Sequence, residues 1–509
     1  MKIIEKFGDK IKGILSAFDR MIIKGHLRQF FSTSGKMYFL SQENVLLKDF
    51  GEYAKEVTRQ IKSHVENIAQ ELERPLIYLN SPKISKEGTA MDIQKRDPVA
   101  EGLICILSTL EVCKTLEVCK NKETEKLELQ NSWRKCLYYY FYYLDREFGF
   151  MHVKLQTWFP FEIQVYINGR EYISKQLDKQ GVKYERYDNS FIHVDDIGKA
   201  QEISNAFTGR DISNMLNRFA KEVNPFLGRL EEIFQYGYFW CLDQCEYATD
   251  VMFQNRQVLE SVYTDFVQYA LLAFKCEDVM TFMGRKMHHA FSGEIVSDIK
   301  KRPQGVRIKH RMKSNSIKMY DKYSVLRIET TINDPYEFKI YKESGPEKKN
   351  KWVPMGKSIA NLYRYAQVSQ AANGRYLDAI TLAEPKRESI EEIEKICNRV
   401  DTGKRTFSGM NPVSKEVGHI FLAVMNGANH INGFTNASIR RDLFPVAALD
   451  DKKAMNKTTR IIAKLRAHKL IAKIPRSFRY KVTPKGIRIM SAALAVKNLW
   501  MTDSMKKAS

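Results

Sequence analysis

The chain has 509 residues, of which 44% are hydrophobic and 28% are charged. That length allows roughly two to four domains. The sequence lacks an apolar run of the about 18 residues that a membrane span needs, and its opening MKIIEKFGDKIKG is charged, so we expect a cytoplasmic protein with no membrane partner. The eight cysteines are scattered without the partners of a zinc site, which indicates reduced thiols.

The formal net charge of +22 is unevenly distributed along the chain. Residues 1–299 contain 39 Lys and Arg against 42 Asp and Glu, a net of −3, whereas residues 300–509 contain 43 against 18, a net of +25. This asymmetry predicts that the last two-fifths of the chain bind a polyanion, most simply nucleic acid. A membrane surface fits less well, because the sequence shows no basic amphipathic helix with a strong apolar face.

The first region, residues 1–137, combines helices and strands. Its pattern predicts a strand near Arg20 to Lys24 and a long helix from about Gln42 to Glu73. The aromatic stretch from Tyr138 to Asn168 opens a central region, residues 138–343, and alternates as a hairpin does. Aromatics at this density are usually core, and the alternative is a cluster on which nucleic-acid bases stack.

A strand predicted between Tyr238 and Phe253 carries acids among aromatic and apolar residues. Glu246 and Asp250 share a parity, so both side chains face the same side of a regular strand. Acids in such surroundings must be exposed, paired or bound to a metal. Salt bridges to basic residues and metal binding are therefore two alternatives for this pair.

Residues 305–333 alternate apolar and polar side chains, which predicts an antiparallel meander of three strands with turns at Ser314-Asn315 and near Asp321 to Ser324. The apolar face packs on the core, and its parity sets Glu329 opposite Ser316 or Lys318, diagonal to Tyr320. The other face is expected to be exposed, and it holds Arg307, Lys309, Arg311, Lys313, Ser316, Lys318, Tyr320, Lys322, Arg327, Glu329 and Thr331. So many like charges predict a bound polyanion, and an edge protected by lysines is the alternative.

Residues 344–410 are predicted as a helical connector that begins with a polar loop at 344–357. The last region, residues 411–509, predicts three helices, a short two-stranded hairpin and a final helix. The three helices run from Ser414 to Met425, from Thr435 or Asn436 onward, and from about Asp451 to His468. Residues 451–490 hold thirteen Lys or Arg and one acid.

The pattern KTTRIIAKLRAHKLIAKIPRSFRYKVTPKG in this last region closely resembles winged-helix DNA-binding domains. The resemblance implies that the third helix enters the major groove and that the hairpin, the wing, touches phosphate or the minor groove. It assigns DNA contacts to Lys457, Arg460 and Lys464 on the helix and to Arg476 and Arg479 on the wing. A winged helix used for protein contacts is the alternative.

The run IKMYDKYSVLRIET resembles the strand pair of rolling-circle replication initiators of plasmids and filamentous phages. In that family a tyrosine attacks a DNA phosphodiester with the help of a divalent metal. The resemblance therefore implies Tyr320 as the nucleophile and Glu329 as a ligand of Mg²⁺ or Mn²⁺, while Lys318 and Lys322 lower the pKa of the phenol. The family's two-histidine metal motif is absent from the sequence, so Glu246 and Asp250 are the expected further ligands.

The sequence thus predicts an α+β protein in which mixed helical and antiparallel-sheet regions precede a C-terminal winged helix. The expected function is DNA binding of mobile-element type, with metal-dependent nicking or strand transfer through tyrosine and no organic cofactor. A non-catalytic winged-helix regulator and an RNA-binding protein are the alternatives, because phosphate contacts do not separate DNA from RNA.

Overall fold

The computed structural model is an α+β protein, as the sequence predicts. It describes residues 2–272, 274, 276–285, 294–302, 305–344, 349–381, 395–403, 405–411, 414–425, 433–444, 451–487, 489–491 and 493–494. The chain divides into two compact units, Met1–Leu259 with Val279–Leu377 and Glu260–Asp278 with Asp378–Ser509. In these described ranges, no helix is long and apolar enough to cross a membrane.

The strands form one large sheet and four hairpins. In chain order they are β1 (Ile11–His26), β2 (Leu76–Tyr78), β3 (Gly102–Lys120), β4 (Leu127–Asp145), β5 (Gly149–Gln156), β6 (Ile163–Asn168), β7 (Tyr184–Tyr187), β8 (Ser190–Val194), β9 (Phe239–Phe253), β10 (Ile295–Arg302), β11 (Gly305–Met312), β12 (Asn315–Lys322), β13 (Val325–Ile332), β14 (Lys339–Ser344), β15 (Lys349–Pro354), β16 (Val400–Asp401), β17 (Thr406–Phe407), β18 (Ile471–Lys473) and β19 (Tyr480–Val482). The sheet has the order β10-β11-β12-β13-β9-β1-β6-β5-β4-β3-β2. Adjacent strands in this sheet are antiparallel, except β2 and β3, which are parallel.

Fourteen α-helices have bounds in the described residues: α1 (Lys2–Phe7), α2 (Thr33–Gln42), α3 (Phe50–Glu71), α4 (Lys86–Arg96), α5 (Gly169–Lys179), α6 (Ile197–Thr208), α7 (Ser213–Val223), α8 (Leu227–Phe234), α9 (Arg256–Leu272), α10 (Cys276–Phe282), α11 (Leu362–Thr381), α12 (Lys415–Val424), α13 (Asn436–Leu443) and α14 (Lys452–Ala467). In α3, apolar residues three or four apart are buried, among them Phe50, Val57 and Ile61, because that spacing places them on one face. The long helix predicted from Gln42 begins only at Phe50, since Asn44 takes a φ of 56° and separates α2 from α3.

The predicted meander is confirmed as β11, β12 and β13. Two-residue turns connect the strands, and in each turn one residue has positive φ, Lys313 at 53° and Tyr323 at 57°. Turns of this kind match the twist of paired strands. The register places Glu329 opposite Lys318, one of the two arrangements that the sequence allows. The strand β10, which the sequence analysis does not predict, extends the meander at the edge of the sheet.

The polar face of the meander is not the exposed surface that was expected. Every residue of β13 is buried, Arg327 has 0% exposure, and Lys322 is buried as well. The reason is that β13 lies inside the sheet, between β12 and β9, and meets the tip of the β7–β8 hairpin. Arg327 Nη2 donates to the Asn189 carbonyl at 2.6 Å, and Lys322 Nζ donates to Asp188 Oδ2 at 2.7 Å. These two cations, expected to contact DNA, are therefore held inside the protein.

Two further expectations are settled by the packing of the first unit. The tyrosines between Tyr138 and Tyr143 are all buried on β4, so they belong to the core and offer no open face to a base. The boundary expected between residues 137 and 138 lies inside β4, so the first two predicted regions share one sheet. The polar loop expected at 344–357 contains β15, which pairs with β14.

Three of the helices predicted for the C-terminal region are present in the second unit as α12, α13 and α14, and part of the predicted final helix lies outside the described residues. Ser414, Thr435 and Asp451 each cap a helix, because their side chains accept hydrogen bonds from backbone N–H groups of the first turn. Ile462 and Leu465 are buried in its core, as the helical period predicts. The strands β18 and β19 pair as the predicted hairpin. The identification of this region as a winged helix stays a prediction.

Candidate active site

Three carboxylates meet on the polar face at the centre of the large sheet. Asp19 lies on β1, Glu246 on β9 and Glu329 on β13, which are neighbouring strands. One oxygen of each lies within 4.8 Å of the others, and all three side chains are buried. The β1–β9 pairing shifts register between Phe18 and Met21, where Asp19 lies, and such an irregularity re-aims side chains next to functional sites.

Lys318 neutralises two of these carboxylates. Its Nζ donates to Glu329 Oε1 at 2.5 Å and to Glu246 Oε1 at 3.2 Å. Burial opposes the ionised form of Glu329, but the charge of Lys318 and hydrogen bonds from Lys318 and Tyr320 hold the pKa of Glu329 at about 2. Burial and the nearby charge of Glu329 raise the pKa of Glu246 above its usual value. The two carboxyl groups are therefore unequal, and Glu246 takes up a proton more readily than Glu329.

The phenol of Tyr320 donates a hydrogen bond to Glu329 Oε2. The two residues are diagonal neighbours across the β12–β13 ladder, as the register argument predicts. The structure reverses the expected effect on the phenol, because burial and the charge of Glu329 raise the pKa of Tyr320 well above its usual value. Lys318 is engaged by carboxylates and Lys322 by Asp188, and the pKa of the phenol is raised although both lysines lie on the same face.

Asp250 does not join the carboxylates, which corrects its assignment as a metal ligand. Its oxygens accept hydrogen bonds from Arg327 Nε at 2.6 Å and Arg327 Nη2 at 2.8 Å, and Arg170 Nη2 lies 3.3 Å away. The remaining terminal nitrogen of Arg327, Nη1, donates to Asp19 Oδ2 at 2.6 Å. Arg327 is thus a buried bridge that fixes Asp19, and it has no exposed nitrogen for a DNA phosphate.

The carboxylates and Tyr320 lie in a pocket of about 160 Å³ in the first unit. Its lining residues are Asp19, Arg20, Asp188, Asn189, Glu246, Arg307, Lys318, Tyr320, Asp321, Lys322 and Glu329. Within the described part of the chain, the buried Nε–H of Arg307 has no hydrogen-bond partner. A buried guanidinium N–H without an acceptor is costly in the free protein, and a phosphate oxygen is the acceptor that it fits best. The pocket therefore combines acids suited to a cation with an orphaned donor suited to an anion.

The other basic residues expected on the meander lie along β11. Lys309 stands opposite Lys318, and burial together with the charge of Lys318 lowers the pKa of Lys309. Arg311 lies opposite Ser316 and is exposed. Of the meander cations that were assigned to DNA, Arg307, Lys309 and Arg311 thus remain accessible in part, whereas Arg327 and Lys322 do not.

The residues assigned to DNA in the second unit lie on its surface or close to it. Lys457 forms an ion pair with Glu416 at 3.2 Å, while Arg460 is exposed on the same helix and Lys464 is half-buried. In the hairpin, Arg476 occupies the turn and Arg479 follows it, and both are exposed. These positions are compatible with the DNA contacts, which stay predictions.

The sequence analysis missed Asp19 and Arg20, although it predicted a strand there. The signal was an acid in the middle of the apolar run ILSAFDRMII, the same kind of signal that singled out Glu246 on β9. An acid inside a buried strand must have a partner. Its partner Arg327 is 308 residues away, so the sequence alone offered no way to identify it.

Comparison of the chain with family models, curated proteins and solved structures finds no match. The fold and the site therefore define the class by themselves: an α+β protein whose central sheet carries a buried carboxylate, lysine and tyrosine pocket.

Proposed function

We propose that this chain is a DNA-binding enzyme of the mobile-element type, which breaks and rejoins phosphodiester bonds with a divalent metal. The observation that carries the proposal is the meeting of three buried carboxylates from β1, β9 and β13 in a pocket that cations also line. Gathering acids in a buried site is costly. A site that binds a metal and a phosphate together explains why acidic and basic side chains line the same pocket.

Asp19, Glu246 and Glu329 are the residues that would hold the metal. Their carboxylate oxygens are hard ligands, which suit Mg²⁺ or Mn²⁺ better than softer ions, and the separations within 4.8 Å are those of atoms around one ion. The metal would polarise the phosphate and stabilise the charge that develops on its oxygens. The orphaned Nε–H of Arg307 and the neighbouring Arg20 supply the complementary contacts to the phosphate.

Tyr320 is the proposed nucleophile. Its phenol oxygen bonds to phosphorus while the bond from phosphorus to the 3′-oxygen breaks, and the phenol proton leaves through the hydrogen bond to Glu329, which passes it on because the low pKa of Glu329 does not retain it. Lys318 gives a proton to the leaving 3′-oxygen and recovers one from Glu329, to which it is hydrogen-bonded. The products are a 5′-phosphotyrosine and a free 3′-hydroxyl, and the tyrosine ester keeps the energy needed for rejoining.

Water as the nucleophile is the second candidate. The raised pKa of Tyr320 favours it, because a phenol that holds its proton is a weak nucleophile at neutral pH. In that case the carboxylates and cations keep their roles, the bond is hydrolysed and no covalent adduct forms.

DNA selection is assigned to the second unit. The third helix predicted for its C-terminal region, α14, exposes Arg460, and the β18–β19 hairpin exposes Arg476 and Arg479, which supports the use of a winged helix on duplex DNA. The excess positive charge of residues 300–509 supports the same partner.

The test is cleavage of supercoiled and single-stranded DNA by the full chain with Mg²⁺ or Mn²⁺. We expect nicked DNA covalently attached to the protein, and Tyr320→Phe should abolish the adduct with DNA affinity nearly unchanged. Tyr323→Phe is the matched control, because Tyr323 is an exposed tyrosine in the adjoining turn. This variant should cleave DNA as the wild type does.

The remaining outcomes separate the alternatives. If the wild type nicks DNA without forming an adduct, and Tyr320→Phe still nicks DNA, water is the nucleophile. An adduct that persists in Tyr320→Phe places the nucleophile on another residue. If the chain binds DNA but cleaves it with neither metal, it is a non-catalytic DNA-binding protein, and the proposal is wrong.

A further inference from the structure

The tip of the β7–β8 hairpin reaches the pocket of the three carboxylates and contacts one of them. Its two turn residues, Asp188 and Asn189, both line the pocket. The side-chain amide of Asn189 donates through Nδ2 to Asp19 Oδ1. Lys322 Nζ donates to Asp188 Oδ2 at 2.7 Å and anchors the same tip to the meander. A hairpin outside the large sheet thus makes a direct contact with a proposed metal ligand.

Asn168 in turn holds the Asn189 amide. Asn168 Nδ2 donates to Asn189 Oδ1 at 2.9 Å, and Asn168 Oδ1 accepts from the Arg170 backbone N–H at 2.9 Å, a contact that caps α5. The side chains of Asn168, Asn189 and Asp19 are all buried, so water competes little for these hydrogen bonds. Three hydrogen bonds in series therefore connect the start of a helix to the Asp19 carboxylate.

The direction of this series is fixed at both ends. A backbone N–H can only donate, so Asn168 must turn its oxygen to Arg170 and its NH₂ group to Asn189. Asn189 then presents its own NH₂ group to Asp19, which as a carboxylate only accepts. Each amide thus has one orientation that satisfies its neighbours, because a reversed Asn189 would place its carbonyl against the carboxylate.

Both oxygens of Asp19 are held by a donor. Oδ1 accepts from Asn189, and Oδ2 accepts from Arg327 Nη1 at 2.6 Å, which fixes the plane of the carboxylate. A carboxylate has about four lone-pair sites, so each oxygen keeps one for a further partner. Arg327 supplies compensating charge, whereas the neutral amide of Asn189 adds orientation alone. Outer partners of this kind orient metal ligands, and their loss lowers metal affinity.

We propose that Asn189 is a positioning residue of the metal site: its amide orients Asp19 toward the ion, and Asn168 acts on the site through Asn189. Asn189 is not itself a ligand, because its oxygen is turned to Asn168. The inference rests on the proposed function for the presence of a metal at Asp19, Glu246 and Glu329. It adds the tip of the β7–β8 hairpin to the parts of the chain that determine how tightly the ion is held.

The test is calorimetric titration of the full chain with Mn²⁺, together with thermal unfolding of each variant. Asn189→Ala should weaken Mn²⁺ binding by between about 10-fold and about 100-fold, while the backbone carbonyl of residue 189 can still accept from Arg327. Asn168→Ser should weaken binding too, because serine still caps α5 but has no amide to donate to Asn189. When Asn189→Ala is already present, Asn168→Ser should change the Mn²⁺ affinity no further.

Asp19→Asn provides the background that isolates the positioning effect. This variant should still bind Mn²⁺ weakly through the two glutamates, and adding Asn189→Ala should cause no further loss, because the amide then has no ligand to orient. Asn224→Ala is the matched control, since Asn224 is a buried asparagine of the same unit and its Nδ2 donates to the Tyr238 hydroxyl at 3.0 Å. It should lower the unfolding temperature and leave the Mn²⁺ affinity unchanged.

Wild-type Mn²⁺ affinity in Asn189→Ala, even with a lower unfolding temperature, would show a purely structural role and overturn the inference. An equal loss of affinity in Asn224→Ala, or a loss that persists in the Asp19→Asn background, would overturn it as well. Mn²⁺ binding that depends on Asn189 without any DNA cleavage counts against the proposed function alone. Cleavage and Mn²⁺ binding that do not depend on Asn189 count against the positioning role alone, and a wild type that binds no Mn²⁺ overturns both.

Discussion

Lys318 and Glu329 face each other across the β12–β13 ladder, and the Lys318 ammonium nitrogen lies 2.5 Å from the Glu329 carboxylate. The same nitrogen lies 3.2 Å from Glu246. Lys318 thus contacts two of the three carboxylates that would bind a metal, and its positive charge competes with that of the ion.

Removal of this competing charge should strengthen metal binding. We expect Lys318→Met to bind Mn²⁺ more tightly than the wild type in calorimetry at neutral pH, although the same variant loses its proton donor and should not cleave DNA. Lys322→Met is the control, because Lys322 pairs with Asp188 outside the three carboxylates. Weaker Mn²⁺ binding by Lys318→Met would show that the ammonium organises the carboxylates rather than competing for them.

The bridge made by Arg327 should be important for stability. Arg327→Met leaves Asp19 and Asp250 buried with fewer compensating charges, and breaking a buried ion pair in this way costs about 3–5 kcal/mol. Urea unfolding should show this loss, and adding Asp250→Asn should restore part of it, since the second substitution removes a buried charge. Lys55→Ala, which breaks an exposed pair with Glu52, should leave the free energy of unfolding nearly unchanged. Equal losses in the free energy of unfolding for Arg327→Met and Lys55→Ala would contradict this account.

His310 should make stability depend on pH. It is buried between Ser297 and Tyr376, and burial lowers its pKa from 6.5 to about 4. Between pH 6.5 and pH 4 the unfolded chain therefore binds a proton that the folded protein does not. The free energy of unfolding should fall as the pH drops through this window, by up to about 1.4 kcal/mol per pH unit from this residue, and this contribution should level off below pH 4.

Urea unfolding of the wild type and of His310→Gln at several pH values checks this prediction. The difference between the two proteins should be greatest above pH 6.5 and should shrink toward pH 4, because the variant lacks the titrating group. His193→Gln is the control at an exposed histidine. A difference that stays constant over the window would rule out the proposed protonation.

The exposed cations of the second unit should set DNA affinity. Arg460→Ala should weaken binding to a preferred duplex by about 1–3 kcal/mol and relax the preference, if this side chain contacts bases. Lys473→Ala, on β18, should lower affinity slightly for all sequences. Titrations of both variants against selected and random duplexes distinguish the two effects, and a selection that enriches no motif would leave only phosphate or shape recognition.

Local patterns of the sequence predicted the meander and the helices of the second unit correctly, for physical reasons. Alternation with period two specifies which residues of β12 and β13 share a face, and the short turns then leave few registers, so Glu329 could be placed opposite either Ser316 or Lys318 in advance. Ser414 and Asp451 mark helix starts through their capping side chains. The exposure of Arg327 could not be predicted in this way, because it depends on β9 and on the hairpin tip at Asn189, 138 residues earlier.

The wide spacing of the pocket residues along the chain has a consequence for the order of folding. Ser16 on β1 is hydrogen-bonded to Thr249 on β9 across 233 residues, and Asp19 is held by Arg327 across 308. Contacts between such distant segments form late, since closing the intervening chain is entropically costly. During synthesis, β1 must therefore wait for β9, and Asp19 must wait further for β13. Nascent chains shorter than about residue 332 have no complete pocket, so any chemistry that the pocket performs begins only after the centre of the sheet has closed.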